Sequence, residues 1–217
     1  MEKWIVFYHK EKELASYTLK GTFEGEMEDT KNLLAHEYGI NTSDIETRVE
    51  ERKRMTKRSS NLYLAYGSNL SIKQMAYRCP DATIVGTAVI ENYRIMYKGS
   101  KTGAYATIEP EEGQRVPVLV WEISERDEKS LDRYEGYPTF YYKKNLQVEV
   151  KALAGKPLGT HTAMVYIMDE RRQHGMPTVY YESVLREGYH YFGFDEEILD
   201  EAMRYTTRHM YSKTVAN

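Results

Sequence analysis

Between residues 61 and 168 the chain is a succession of short β-branched and aromatic runs with polar breaks between them: NLYLAY (61–66), ATIVGTAVI (82–90), YRIMYKG (93–99), YATIEP (105–110), RVPVLVWEI (115–123), YYKKNLQVEV (141–150) and HTAMVYIM (161–168). Runs of this length and composition read as strands. Helical patterns interrupt and follow them, at SIKQMAYR (71–78), ERDEKSLDRYE (125–135), TVYYESVLREGYHYFG (178–193) and DEEILDEAMRYTTRH (195–209). Ser124, with Asp127 three residues on, has the form of a capping box at the start of the second of these. Many consecutive strands with helices at the ends predict an α+β fold: a mostly antiparallel sheet, closed into a β-barrel, with helices around it.

A boundary is expected near residues 53–60, KRMTKRSS, where apolar periodicity gives way to charge and serine. Residues 1–58 then form a small N-terminal α/β unit of ββαβ type, and residues 59–217 the main domain. In the small unit KWIVFYHK (3–10), LASYTLKGTF (14–23) and DIETRVEER (44–52) read as strands. EMEDTKNLLAHEYG (26–39) reads as a helix with Leu33, Leu34 and Tyr38 along one face and Gly39 as its stop. A unit this small has little core of its own, so it is expected to mediate a homodimer or to cover the mouth of a pocket.

Composition narrows the function classes. The 217 residues are 41% hydrophobic and 29% charged with a net charge of −3, enough to bury a real core. No apolar run approaches the roughly 20 residues of a membrane helix, and the N-terminus shows no signal-peptide pattern. Cys79 is the single cysteine, which excludes an internal disulfide. These features point to the cytoplasm. The slightly acidic balance argues against nucleic acid as a partner, and the basic stretch 48–58 reads as a solvated linker. Six scattered histidines lack metal-ligand spacing, so no metal is expected. Twenty tyrosines against five phenylalanines are unusual. Tyrosine sits where one end of a ring meets a polar partner, as in pockets.

Two places carry candidate chemistry. In NLYLAYGSNLS a strand stops at Gly67-Ser68-Asn69 and a helix follows. The spacing fits a small-residue turn with an Asn cap, and it equally fits a cradle of backbone N–H groups for an anion. In SLDRYEGYPTFYYKK (130–144), Glu135 ends a helix before Gly136 and lies between Tyr134 and Tyr137. The negative helix end and partial desolvation would both raise its pKa toward that of a general base, although a solvent-facing glutamate fits the same pattern.

LYLAYGSNL (62–70), MAYRCPDATIVGTAVIENYRIMY (75–97), VPVLVWEISERDEKSLDRYEGYPTFYYKK (116–144) and PTVYYESVLREGYHYFG (177–193) together resemble the γ-glutamylcyclotransferases and their AIG2-like relatives, over about residues 61–205. The resemblance implies a compact β-barrel with packed helices. It also implies cleavage of a γ-glutamyl amide by attack of the substrate's own α-amine on its γ-carbonyl, releasing 5-oxoproline and an amine or amino acid without any cofactor. By the same resemblance Glu135 is the general acid/base. Tyr66, Gly67, Ser68, Asn69 and Leu70 hold the α-carboxylate, which favours the cradle, and Tyr181 contacts the substrate. Arg78 belongs to the RCP element, with a structural and a substrate-contacting role both open. The choice between γ-glutamyl amino acids and γ-glutamylamines would lie in GSKTG (99–103) and RRQHGMPT (171–178). The alternative of another class is a non-catalytic module binding a small ligand or a protein on the same fold.

Overall fold

A computed structural model describes residues 2–18, 27–28, 31–32, 34–35, 38–52, 60–100 and 103–212. Near the N-terminus, β1 (Glu2–His9), β2 (Lys12–Thr18) and β3 (Glu46–Arg52) form an antiparallel sheet in the order β2-β1-β3. Ile5, Phe7, Leu14, Leu34, Ala35 and Ile45 make one buried cluster beside it. Within the helix expected at 26–39, the described residues 27–28, 31–32, 34–35 and 38 are helical; the others, Leu33 among them, lie outside the described residues. So do the far end of the expected strand 14–23 and most of the expected boundary at 53–60.

The second sheet contains β4 (Ser60–Ala65), β5 (Thr83–Ser100), β6 (Gly103–Ser124), β7 (Tyr141–Lys151), β8 (Pro157–Met168) and β9 (Gln173–His174). Its pairings run β6-β4-β8-β7-β5 and return from β5 to β6, so five strands close a ring, with β9 added on β5. Three joints are long antiparallel ladders. The other two are single pairs, parallel Tyr63↔Met164 and antiparallel Thr87↔Lys151. The structure is therefore an uneven ring of strands whose buried core includes Leu64, Ile95, Ile108, Val118, Val120, Val165 and Ile167. Each fully buried aliphatic side chain of this kind contributes about 1.5–3 kcal/mol.

Four separate strands expected at 82–90, 93–99, 105–110 and 115–123 are two long ones. Asn92, at φ 60°, makes a bulge inside β5 instead of ending it. Its Oδ1 accepts from Gly113 N at 3.0 Å, so the polar step that resembles a turn is absorbed as a bend of the hairpin.

The helices act as brackets. α1 (Ile72–Arg78) is capped by Ser71, whose Oγ accepts from Gln74 N at 3.3 Å; Asn69 is not the cap. α1 and β5 also touch β2 of the first sheet. α2 (Glu125–Glu135) carries the expected capping box between Ser124 and Asp127 and stops at Gly136, left-handed at φ 65°. α3 (Val179–Tyr191) and α4 (Glu197–Ser212) cover the ring. α3 rests directly on the 68–70 turn: a Cβ built on Gly188 would stand 2.6 Å from Leu70 Cβ. Gly188→Ala should therefore force the turn and helix apart and cost about 1–3 kcal/mol. Urea unfolding should show this as a lower midpoint at unchanged slope; an unchanged midpoint would mean that the contact relaxes freely.

Candidate functional site

Strand β4 supplies Tyr63 to the pocket and stops at Ala65, and Tyr66 follows it there. The 3₁₀ turn Ser68–Leu70 follows, with Leu70 N donating to Gly67 O at 3.0 Å and Ser71 N to Ser68 O at 3.1 Å. Trp121 Nε1 donates to Asn69 O at 3.1 Å. The turn thus uses its carbonyls and its last amide. The N–H groups of Gly67, Ser68 and Asn69 have no main-chain acceptor among the described residues, as first-turn amides do not.

These three residues form one end of a pocket whose other walls are Tyr63, Tyr66, Ala106, Glu135, Tyr141, Tyr166 and Tyr181; it encloses about 310 Å³ including its open mouth. Five of those walls are tyrosines, and most of their hydroxyls are held. Tyr66 donates to Tyr166 O at 2.6 Å, Tyr166 to Asp132 Oδ1 at 2.6 Å, and Tyr141 to Ala106 O at 2.9 Å. Tyr63 accepts from Asn69 Nδ2 at 2.8 Å and Tyr181 from Ala106 N at 3.1 Å. Neither of these last two protons meets a protein acceptor among the described residues, so both hydroxyls keep a donor for a ligand. Burial pushes the pKa of Tyr63, Tyr66, Tyr141 and Tyr181 upward, which keeps the rings neutral.

Glu135 is the last residue of α2, and Gly136 turns the chain away behind it. Its Oε1 accepts from Asn69 Nδ2 at 3.0 Å. Arg78 holds the other side of that amide, donating to Asn69 Oδ1 at 2.5 Å, and also reaches Ser68 Oγ at 3.2 Å and Tyr134 OH at 2.6 Å. Burial of the carboxyl raises its pKa to about 7, against the opposing pull of the Arg78 charge and the Asn69 hydrogen bond. Such a group takes and returns protons near neutral pH. Cys79, by contrast, is buried with its thiol near Asp127 O at 3.7 Å, and burial drives its pKa up, so it packs as a small hydrophobe. Among the described residues no cluster of His, Cys, Asp or Glu could hold a metal, and no helix is long and apolar enough to cross a membrane.

Six of the residues singled out in the sequence, Tyr66, Gly67, Ser68, Asn69, Glu135 and Tyr181, line this one pocket. Leu70 does not: it is buried beneath Gly188, and its amide is spent on Gly67. Sequence reasoning did not find Tyr63, Ala106, Tyr141 or Tyr166, which arrive through the register of β4, β6, β7 and β8. The tyrosine excess was their signal, without positions. Arg78 is placed by the structure on Asn69 and Ser68.

A family model described as gamma-glutamyl cyclotransferase, AIG2-like, matches residues 63–184, more than half of the chain. The gamma-glutamylcyclotransferase of Bos taurus is 32% identical over 106 residues, which are 46% of this chain and 56% of that protein. The chain therefore spans little more than half the length of this curated relative. A gamma-glutamyl cyclotransferase of known structure superposes with a TM-score of 0.58 at 25% identity, covering 67% of this chain and 87% of that one. The Bacillus subtilis protein YkqA shares the fold over 95% of this chain and 88% of its own, with a TM-score of 0.54 at 13% identity.

A carboxyl whose pKa is raised on folding binds its proton more tightly in the folded state. Stability is then highest below the unfolded value of 4.5 and falls as pH rises to about 7. By that linkage the ionised Glu135 destabilises the fold by roughly 3 kcal/mol above pH 7. Glu135→Gln should accordingly be more stable than wild type at pH 8, with the gap closing as pH falls toward 4.5. Parallel denaturant titrations at both pH values would test this, and equal midpoints at pH 8 would contradict burial of the charge.

Proposed function

Since this chain belongs to the gamma-glutamyl cyclotransferase, AIG2-like family, we propose that its tyrosine-lined pocket cyclises the glutamyl half of a γ-glutamyl amide, releasing 5-oxoproline and an amine or amino acid. One observation carries this reading: a largely buried carboxyl, Glu135, shares a pocket with three main-chain amides that have no main-chain acceptor among the described residues, and is bridged to them by Asn69.

In this reading the amides of Gly67, Ser68 and Asn69 receive the substrate α-carboxylate, as main-chain N–H clusters at helix starts receive anions. That grip sets the α-ammonium near Glu135, which removes one proton. The freed nitrogen attacks the γ-carbonyl carbon; the C–N bond of the ring forms and the carbonyl electrons move to oxygen. The phenol protons of Tyr63 and Tyr181 are the available donors for that oxygen. As the tetrahedral centre collapses, the bond to the leaving nitrogen breaks and Glu135 supplies its proton there. The second proton lost by the attacking nitrogen passes by the same carboxylate to water. In this scheme only the chain, the substrate and water take part. Holding amine and carbonyl together provides much of the acceleration, and the proton relay a further 10²–10⁴-fold, approximately.

Residues 1–58 are taken as an accessory unit, supported by a separate sheet and buried cluster, and the protein as a cytoplasmic enzyme whose partner is a small molecule.

Release of 5-oxoproline from a panel of γ-glutamyl compounds is the direct test. Wild type should show kcat/KM rising with pH through an apparent pKa near 7, and Glu135→Gln should lose about 10²–10⁴-fold. Equal rates for the two would leave the non-catalytic binding module as the reading. Arg78→Met removes the positive charge that pulls the Glu135 pKa down and loosens Asn69, whose hydrogen bond pulls in the same direction. Its acidic limb should therefore move to higher pH; an unmoved limb would show that Arg78 serves the fold alone.

A further inference from the structure

Most of the pocket wall is buried; only Gly67, Glu135 and Tyr181 keep partial exposure, so the mouth lies between them. The pocket is small: it encloses about 310 Å³ only when its open mouth is counted, and about 30 Å³ of it is reached by the centre of a water-sized sphere. It is too small to enclose a whole γ-glutamyl compound. Whatever amine is attached to the γ-carbonyl must therefore lie across the rim.

That rim is aromatic. Tyr105 meets Tyr181 edge to face, with centroids 5.3 Å apart, and meets Phe140 at 6.5 Å. Phe140 backs onto Gly136, the residue after Glu135, where a built Cβ would stand 3.1 Å from Phe140 Cβ. The guanidinium of Arg172 sits 4.4 Å from the Phe140 ring centre and caps that ring. Tyr105 is left as the open ring of the set, 40% exposed beside the mouth. Tyr134 and Tyr137 flank Glu135 in the chain and are partly exposed, but the Arg78 guanidinium lies 3.6 Å from the Tyr134 ring centre and Lys143 Nζ 4.7 Å from that of Tyr137, so cations already cover both rings. Tyr105 therefore offers an open ring face beside a pocket whose ligand must extend past the rim.

We infer that Tyr105, backed by Tyr181 and Phe140, is the subsite for the leaving half of the substrate, and that this half carries a flat aromatic ring. The inference rests on the cyclotransferase reading for the position of the glutamyl half. It adds what that reading leaves open, the chemical class of the amine. Tyr105 acts here through its ring face, since offset and edge-to-face contacts between rings favour one aromatic partner over a methyl group.

The test compares γ-glutamylbenzylamide with γ-glutamylmethylamide, both with a free α-amine. It uses two readouts: 5-oxoproline release by wild type, and calorimetric binding to Glu135→Gln, which needs no turnover. The benzyl compound should be favoured about tenfold in kcat/KM and in Kd. Tyr105→Ala should bring both ratios to within about twofold, and Tyr105→Phe should keep them, because the ring and not the hydroxyl is used. A ratio near one in wild type, or one that survives Tyr105→Ala, overturns the subsite. Equal release from both compounds would sink the subsite and leave the cyclotransferase reading standing. Tighter binding of the benzyl compound without release of 5-oxoproline from either would do the reverse. Neither release nor binding would remove both.

Discussion

The side-chain amide of Asn69 is held from two directions, and the chemistry available to the pocket depends on that restraint. Arg78 has only donors to offer, so Asn69 must turn its oxygen toward the guanidinium and its nitrogen toward Tyr63 and Glu135. The amide cannot flip without setting donor against donor on one side and acceptor against acceptor on the other. Glu135 consequently receives a hydrogen bond but no direct ion pair. Had the guanidinium reached the carboxylate itself, a charge-assisted bond would have held it ionised. With the charge one residue removed, burial outweighs attraction, and the pKa settles at about 7.

Around that restraint the protein uses phenols where an ordinary core would use phenylalanine. Each ring fills buried volume, and these hydroxyls tie separate segments together: Tyr66 to the main chain of β8, Tyr141 to that of β6, Tyr166 to Asp132 of α2. Asp132 in turn pairs with Lys143 at 2.7 Å, which fixes the helix that ends in Glu135. A buried hydroxyl left without a partner would cost about 1–3 kcal/mol, so the network specifies the pocket's shape as well as its polarity. Neutral phenols also leave the pocket without a second negative charge that would repel a carboxylate-bearing ligand.

The short helices matter chiefly for where they end or press. α1 presents Arg78 in its last turn, α2 presents Glu135 at its last residue, and α3 presents Tyr181 in its first turn while Gly188 clamps the 68–70 turn. Because the strands form a closed ring, these positions are fixed relative to one another without long loops. The two single-pair joints are the weakest parts of the ring, and α3 and α4 pack over it.

Local signals in the sequence went a long way. The strand-forming runs, the capping box at Ser124 and Asp127, the stop at Gly136 and the helices at both sites all follow from contacts between residues a few positions apart, whereas the pairing of the small-residue turn with Glu135 came only through the family resemblance. Those contacts are governed by backbone preferences and periodicity that any reader of the chain can apply. The fusion of four expected strands into two did not follow, because Asn92 looks like a turn until Gly113, on the partner strand, accommodates the bulge. Tyr63, Tyr141 and Tyr166 could not be assigned to the pocket either, nor Arg78 to Asn69, nor Leu70 placed outside the pocket lining. Most of these depend on register and ring closure between distant segments, as between Tyr66 and Tyr166 or Trp121 and Asn69, and the Arg78–Asn69 contact, nine positions apart, depends on how α1 packs against the turn. A one-residue slip would turn every such side chain to the opposite face. The sequence by itself determined which residue types and local elements are present. Only the tertiary structure decided which of them share one largely buried, polar cavity, because burial and long-range pairing are properties of the assembled ring and of no single stretch of chain.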